Sequence, residues 1–161
     1  MATETSGKPR LSRWLAGGMS LLALTMVPNA QASASNTALD AAALIQMETQ
    51  ADRAKPREQC YLYTQLVDAL MVTAAEQVAA GEDEDASKTV GRIGEVSAKL
   101  QRVTARDAKK LKAAEKMLSE SARKLKELSQ VASGGERDEM RATLAKLDAA
   151  HNKILDLVFR Q

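Results

Sequence analysis

The chain has 161 residues, of which 23 are basic and 21 are acidic, so its formal net charge at neutral pH is +2. Aromatic residues make up 2% of the chain, while alanine, leucine and charged residues dominate, a composition typical of long helices. The single cysteine excludes an intrachain disulfide framework. Because no segment alternates apolar and polar residues with β-branched enrichment, the sequence predicts an all-α fold.

The first 34 residues have the layout of a secretory signal peptide. Three cations between residues 8 and 13 precede an apolar run over residues 14–27, and two small-x-small sites end at Ala32 and Ala34. The run is too short to cross a bilayer comfortably, since a span needs roughly 20 apolar residues. We therefore expect residues 1–32 to be a signal peptide, with cleavage after Ala32 or Ala34. The mature protein is then exported, periplasmic or extracellular, and has no membrane span.

The same segment accounts for the positive net charge of the chain. Residues 1–34 contain three basic residues and one acidic residue, which leaves 20 of each in the remainder. A basic excess would have favoured nucleic acid as a partner. Since the remainder is close to neutral, the sequence predicts no nucleic-acid partner.

Residues 33–161 suit a single mature helical domain. The first predicted helix covers residues 37–54, with Asn36 or Thr37 as its N-cap and Asp40 in its first turn, where a negative charge suits the helix dipole. Pro56 interrupts the apolar pattern. The second predicted helix covers residues 57–80 and ends at Gly81.

The third predicted helix is the longest and covers residues 86–132. An apolar heptad spacing of the coiled-coil kind can be followed from Val90 to Ala132, and a continuous helix of this length would extend roughly 70 Å. Residues 104–107 also match a capping box, so a break near residue 105 is the competing interpretation. Two glycines after Ser133 end the helix, and the last predicted helix covers residues 136–159.

These helices predict an elongated antiparallel bundle of three to four long amphipathic helices. The last helix is too short to cover the whole length of the third, which would leave apolar surface between residues 66 and 103 thinly covered. Such a surface usually contacts a partner, often a second copy of the same chain. The predicted self-association face consists of Val67, Leu70, Ile93 and Leu100.

The only histidine, His151, lies on the apolar face of the last predicted helix. A buried, hydrogen-bonded side chain is the simplest interpretation. An alternative pairs His151 with Met47 of the first helix, because the chain resembles periplasmic four-helix b-type cytochromes in export, size and these two residue types. That resemblance implies haem ligation and electron transfer. A covalent c-type haem is excluded by the absence of a Cys-x-x-Cys-His motif, and the leading interpretation needs no cofactor.

Other polar and reactive residues have simple structural interpretations. Cys60 lies on the apolar stripe of the second helix, which favours burial, with an interchain disulfide as the alternative. The acidic residues 82–85 suit a solvated turn before a helix N-terminus. Seven lysines and arginines between residues 109 and 126 form a basic helix face, diluted by glutamates and including a predicted Glu120–Lys124 pair. This basic face suggests an alternative function for the protein, that of a cell-envelope adaptor that binds an anionic surface.

The octapeptide Cys-Tyr-Leu-Tyr-Thr-Gln-Leu-Val at residues 60–67 is followed by a lysine-rich helix and by Leu-Val-Phe-Arg at residues 157–160. This combination resembles uncharacterised small exported bacterial helical-bundle proteins, and the resemblance implies a fold without implying a reaction. The sequence contains no nucleophile motif, phosphate-binding glycine loop or zinc-spaced cluster. It therefore predicts a non-enzymatic exported protein that acts by self-association or by contact with another envelope protein.

Overall fold

The computed structural model describes residues 39–103, 108–132 and 134–160. The predicted signal peptide, both cleavage sites, the N-cap candidates at 36 and 37, residues 104–107 and residue 133 lie outside this part of the chain. The described residues form helices without strands, which confirms the predicted all-α bundle. The helices are α1 (Ala41–Arg53), α2 (Pro56–Ala80), α3 (Asp83–Arg102), α4 (Leu111–Val131) and α5 (Gly134–Phe159).

Local signals explain where α1 and α2 begin and end. The Asp40 carboxylate accepts a hydrogen bond of 2.6 Å from the Ala43 N–H, so Asp40 is the N-cap of α1. The predicted start at residue 37, with Asp40 inside the first turn, is therefore wrong. Pro56 occupies the first position of α2, where a missing N–H costs nothing. Gly81 ends α2 with a φ of 74°, a left-handed conformation that glycine adopts without strain.

The predicted continuous helix over residues 86–132 is wrong. Helix α3 ends after 20 residues at Arg102, and α4 begins at Leu111 and has 21 residues. Lys110 has a φ of 58°, which interrupts any right-handed helix. The neighbouring Lys109 N–H donates to the Arg57 carbonyl of α2 at 2.8 Å. The competing interpretation, a break near residue 105, agrees with these helix ends.

The break produces a bundle of two helical hairpins, α2 with α3 and α4 with α5. Helix α2 packs against α3 and α4, and α5 packs against the same two helices from the opposite corner. Ion pairs join Lys109 to Glu58 and Lys124 to Asp68, so α4 runs in the same direction as α2. Neighbouring helices are therefore antiparallel within a hairpin and parallel between hairpins. Helix α1 packs against α2.

The residues of the predicted self-association face lie in the core of this bundle. Val67, Leu70 and Ile93 are 0% exposed and Leu100 is 2% exposed. The expectation of a thinly covered surface between residues 66 and 103 is wrong, because α5 packs against α3 and α4 against α2. Because these four apolar side chains are buried within one chain, the structure gives no support for self-association through them.

Candidate functional site

A half-buried polar cluster joins α1 to α2 and α3. The Lys99 ammonium lies 2.9 Å from Glu48 Oε1 and 2.9 Å from Asp52 Oδ1, both on α1. The Tyr63 hydroxyl donates to Asp52 at 2.6 Å, and the Arg92 guanidinium donates to Glu48 at 3.2 Å. The Lys99 ammonium also lies 5.7 Å from the centre of the Tyr63 ring. We call these five side chains the α1 clamp, because each charge in it is paired across a helix boundary.

The pKa values of the groups in the α1 clamp favour a structural role, the attachment of α1 to the bundle, over a catalytic role. Hydrogen bonds lower the carboxylate pKa values, with Lys99 the largest cause for Glu48 and Tyr63 the largest cause for Asp52. Burial and the bond to Asp52 raise the pKa of Tyr63 to about 12. Burial works against the charge of Lys99, but its bonds to both carboxylates outweigh this and raise its pKa. At neutral pH Glu48 and Asp52 are therefore carboxylates, Tyr63 is a neutral phenol and Lys99 is an ammonium, so the α1 clamp fastens α1 to the bundle.

Cys60 is buried on α2 and is 3% exposed. Burial raises the pKa of its thiol to about 11. Because the thiolate is the species that attacks electrophiles and forms disulfides, this environment suppresses its reactivity. The interchain disulfide considered from the sequence would require α2 to leave the core.

The structure does not bring Met47 and His151 together. Met47 is partly buried on α1, which packs against α2. His151 lies on α5, where its Nε2 is 2.9 Å from Glu115 Oε1 of α4. Among the described residues the backbones of α1 and α5 do not pack against each other. A haem site with these two ligands therefore has no geometric support, and His151 is a half-buried hydrogen-bonded side chain.

Carboxylates from both hairpin turns line a cleft of about 250 Å³ at one end of the bundle. Asp83 comes from the first turn of α3, and Glu136 and Glu139 come from the start of α5. The Ser87 hydroxyl donates to Glu139. A Cβ at Gly91 would lie 3.3 Å from Glu139 Oε1, so the glycine makes room for this carboxylate. Negative charges are stabilising near the positive N-terminal ends of helix dipoles. The carboxylates lie at the N-termini of α3 and α5, which accounts for their position.

An apolar groove follows the outer side of the contact between α2 and α4. Two adjoining depressions of about 300 Å³ and 320 Å³ share Ala75 and Lys124. Val131 lies at the rim and is 73% exposed. Charged side chains border the groove, and its lining is otherwise apolar. We call this surface the α2–α4 groove, with the apolar lining Met71, Val72, Ala75, Ala79, Leu128 and Val131.

The basic residues of α4 are paired differently from the prediction. Glu120 lies 4.0 Å from Lys116, and Lys124 lies 3.6 Å from Asp68 of α2. The predicted Glu120–Lys124 pair is therefore wrong, because the parallel neighbour α2 supplies a carboxylate that the sequence of α4 alone did not reveal. Four of the seven basic residues of the predicted face lie within 4.0 Å of a carboxylate, namely Lys109, Lys116, Arg123 and Lys124.

The turn before α4 lines a second cleft, of about 390 Å³, between α1, α2 and the start of α4. The Lys110 ammonium lies 4.2 Å from the centre of the Tyr61 ring, a cation–π distance. The Lys109 ammonium lies 3.1 Å from Glu58 Oε1. We call this site the Tyr61 cleft, and its lining consists of Gln50, Glu58, Tyr61, Leu62, Gln65, Lys109 and Lys110. Sequence reasoning missed it, because the lysines approach Tyr61 only where the long helix breaks.

Comparison of the chain with protein-family models, curated proteins and solved structures finds no match. Across the helices that the structure describes, none is both long and apolar enough to cross a membrane. Within residues 39–103, 108–132 and 134–160, no three histidine, cysteine or acidic side chains are grouped so that they could hold a metal ion. The α2–α4 groove and the Tyr61 cleft are the surfaces whose chemistry the fold leaves open.

Proposed function

We propose that this is an exported, non-enzymatic helical protein that acts by protein–protein contact through the α2–α4 groove. Export is supported by the charge, apolar run and small-x-small sites of residues 1–34. Contact is supported by the groove itself, an apolar channel between two parallel helices. The pairing of charges within the α1 clamp and the burial of Cys60 support a structural role for these groups.

The shape and chemistry of the groove suit an amphipathic helix. Its α2 wall runs from Met71 to Ala79, about two helical turns and roughly 12 Å. Ala75 and Ala79 have short side chains, which allow a second helix to approach closely. An amphipathic helix places an apolar anchor every three or four residues, which matches a groove of this length.

The chain itself carries exposed apolar side chains on α1 and just before it. Ile45 on α1 is 58% exposed, and Leu39, the residue before the N-cap of α1, is 41% exposed. We therefore take a second copy of the chain as the occupant, with its α1 docked in the α2–α4 groove. Such a contact joins two different surfaces, so it leads to rings or open chains of molecules.

Sedimentation of the chain lacking residues 1–32 tests this contact. We expect the unsubstituted protein to self-associate with rising concentration, whereas Ile45→Lys and Val131→Lys each remain monomeric. A mixture of these two variants should form a one-to-one dimer, because one keeps an intact groove and the other an intact α1. Ala149→Lys, a lysine at an exposed position on α5, is the matched control and should associate like the parent.

A monomeric parent protein, or a mixture that does not pair, would refute the second copy as the occupant. A photo-crosslinking residue at position 131 then tests the groove in cells, with position 149 as the control. Adducts formed at 131 and not at 149 would support contact with another envelope protein. Equal labelling at both positions would overturn the proposed function.

A second candidate function, a cell-envelope adaptor for an anionic partner, is supported by a different surface. Lys110 lies against Tyr61, and no carboxylate within the described residues pairs with its ammonium. This arrangement leaves positive charge at the Tyr61 cleft. Haem-based electron transfer, by contrast, is disfavoured by the separation of Met47 from His151.

A further inference from the structure

We propose that the Tyr61 cleft binds an acidic sugar, a pyranose that carries a carboxylate or a phosphate. This site is separate from the α2–α4 groove, and it gives the chain a ligand in addition to a protein contact. The cleft measures about 390 Å³, within the range of roughly 300–1,000 Å³ that small-molecule sites occupy.

The two lysines of the cleft have different partners. The Lys109 ammonium is neutralised by Glu58 at 3.1 Å. The Lys110 ammonium has only the face of Tyr61 at 4.2 Å as a partner in the described part of the chain. An aromatic face attracts a cation without neutralising it. Lys110 therefore supplies a positive charge, held in position, for an anionic group of a ligand.

The turn at the start of α4 sets the position of Lys110. Its φ of 58° is unusual for a residue with a Cβ, so the conformation needs support from its surroundings. That support comes from the Lys109 N–H, which donates to the Arg57 carbonyl at 2.8 Å. The fold thus holds a lysine in an unfavourable backbone conformation and places it over an aromatic ring.

The remaining lining matches the hydroxyl groups of a sugar. The amides of Gln50 on α1 and Gln65 on α2 form no hydrogen bond with another described residue. Each amide offers donors and an acceptor, which is what adjacent hydroxyls require. Tyr61 and Leu62 supply apolar surface for the C–H face of a pyranose ring.

This combination favours a sugar over a lipid surface. A flat anionic membrane attracts several unpaired lysines or arginines arranged on one face. Within the described part of the chain, the cleft contains one lysine without a carboxylate partner and two amides in a concave site, an arrangement that suits a discrete ligand with one anionic group. The carboxylate of a uronic acid and the phosphate of a sugar phosphate share this chemistry.

Titration of the chain lacking residues 1–32, followed by the NMR signals of the Tyr61 ring, tests the proposal. The probes are glucuronic acid, glucose 6-phosphate, glucose and inorganic phosphate. We expect saturable shifts with at least one acidic sugar, at an affinity about tenfold or more above that of glucose and of phosphate. The relative affinities of the two acidic sugars show whether the natural anion is a carboxylate or a phosphate.

Variants separate the cleft from a general charge effect. Lys110→Gln should lower the affinity for the acidic sugar about tenfold and leave that for glucose unchanged. Lys112→Gln, at an exposed position outside the cleft, is the matched control and should bind like the parent. Gln65→Ala should lower the affinity for both the acidic sugar and glucose. This variant tests the cleft if Lys110→Gln does not fold.

Three results would overturn the proposal. The first is equal affinity for the acidic sugars and glucose. The second is phosphate binding as tight as that of the sugar phosphate, which would show a site for anions alone. The third is equal loss of binding in the variants at positions 110 and 112. Each of these results leaves the contact through the α2–α4 groove unaffected, because that surface has its own variants and its own assay.

Discussion

Replacement of Ser121 by alanine should stabilise the protein. Ser121 lies on α4 and is 0% exposed, and its hydroxyl has no hydrogen-bond partner in the part of the chain that the structure describes. A buried hydroxyl without a partner costs about 1–3 kcal/mol. Alanine also has a helix propensity about 0.5 kcal/mol more favourable than serine. We therefore expect the free energy of unfolding to rise by about 1–2 kcal/mol, taking the lower part of this range because the exchange leaves a small void.

Ser97 provides the matched control. It is also a serine in a helix and is also 0% exposed, but its hydroxyl donates to the Ile93 carbonyl at 2.7 Å. Ser97→Ala removes a hydrogen bond worth about 1 kcal/mol and gains the same helix propensity, so its stability should stay close to that of the parent. The difference between the two variants isolates the missing hydrogen bond of Ser121, because the propensity contribution is common to both.

Urea denaturation followed by circular dichroism at the helical wavelength measures both variants. An increase of about 1–2 kcal/mol in Ser121→Ala corresponds to a rise in melting temperature of roughly 3–10 °C in a domain of this size. If Ser121→Ala is no more stable than Ser97→Ala, the Ser121 hydroxyl has a partner in solution. The packing described around this position would then be incorrect.

Two further predictions concern the α1 clamp and the helix break. The pKa values of Glu48 and Asp52 are lowered from 4.5 and 3.8. Their stabilising contribution is therefore present above those values and is lost as the pH falls through the lower values of the folded state. Urea denaturation between pH 2 and 7 should show this loss in the parent and a smaller one in Lys99→Met; equal pH dependence would contradict a role for the clamp. Spin labels at positions 88 and 130 would lie roughly 63 Å apart on one continuous helix. Because α3 begins and α4 ends beside the same cleft, pulsed electron resonance should give less than half that distance, and a value near 60 Å would restore the continuous helix.

Local sequence signals determine the fold class and several helix ends of this protein. Apolar residues recur every three or four positions along residues 41–159, as in an amphipathic helix. No segment of this sequence shows the alternating pattern of a strand. Pro56 and Gly81 mark helix ends because their backbone preferences act within a residue or two, whatever the helix packs against. The apolar stripe of α2 likewise places Cys60 on the inner face before its neighbours are known.

Only the tertiary structure decided where the third predicted helix breaks and which helices are neighbours. The heptad pattern and the capping box at residues 104–107 are both local, and they favour opposite outcomes. Folding α4 back beside α2 buries apolar side chains of both helices and lets the Arg57 carbonyl accept the N–H of Lys109. The burial of Leu70 and the approach of Lys110 to Tyr61 follow from that choice. The contacting residues are far apart along the chain, and helix periodicity specifies which face of a helix is apolar without specifying which helix will cover it.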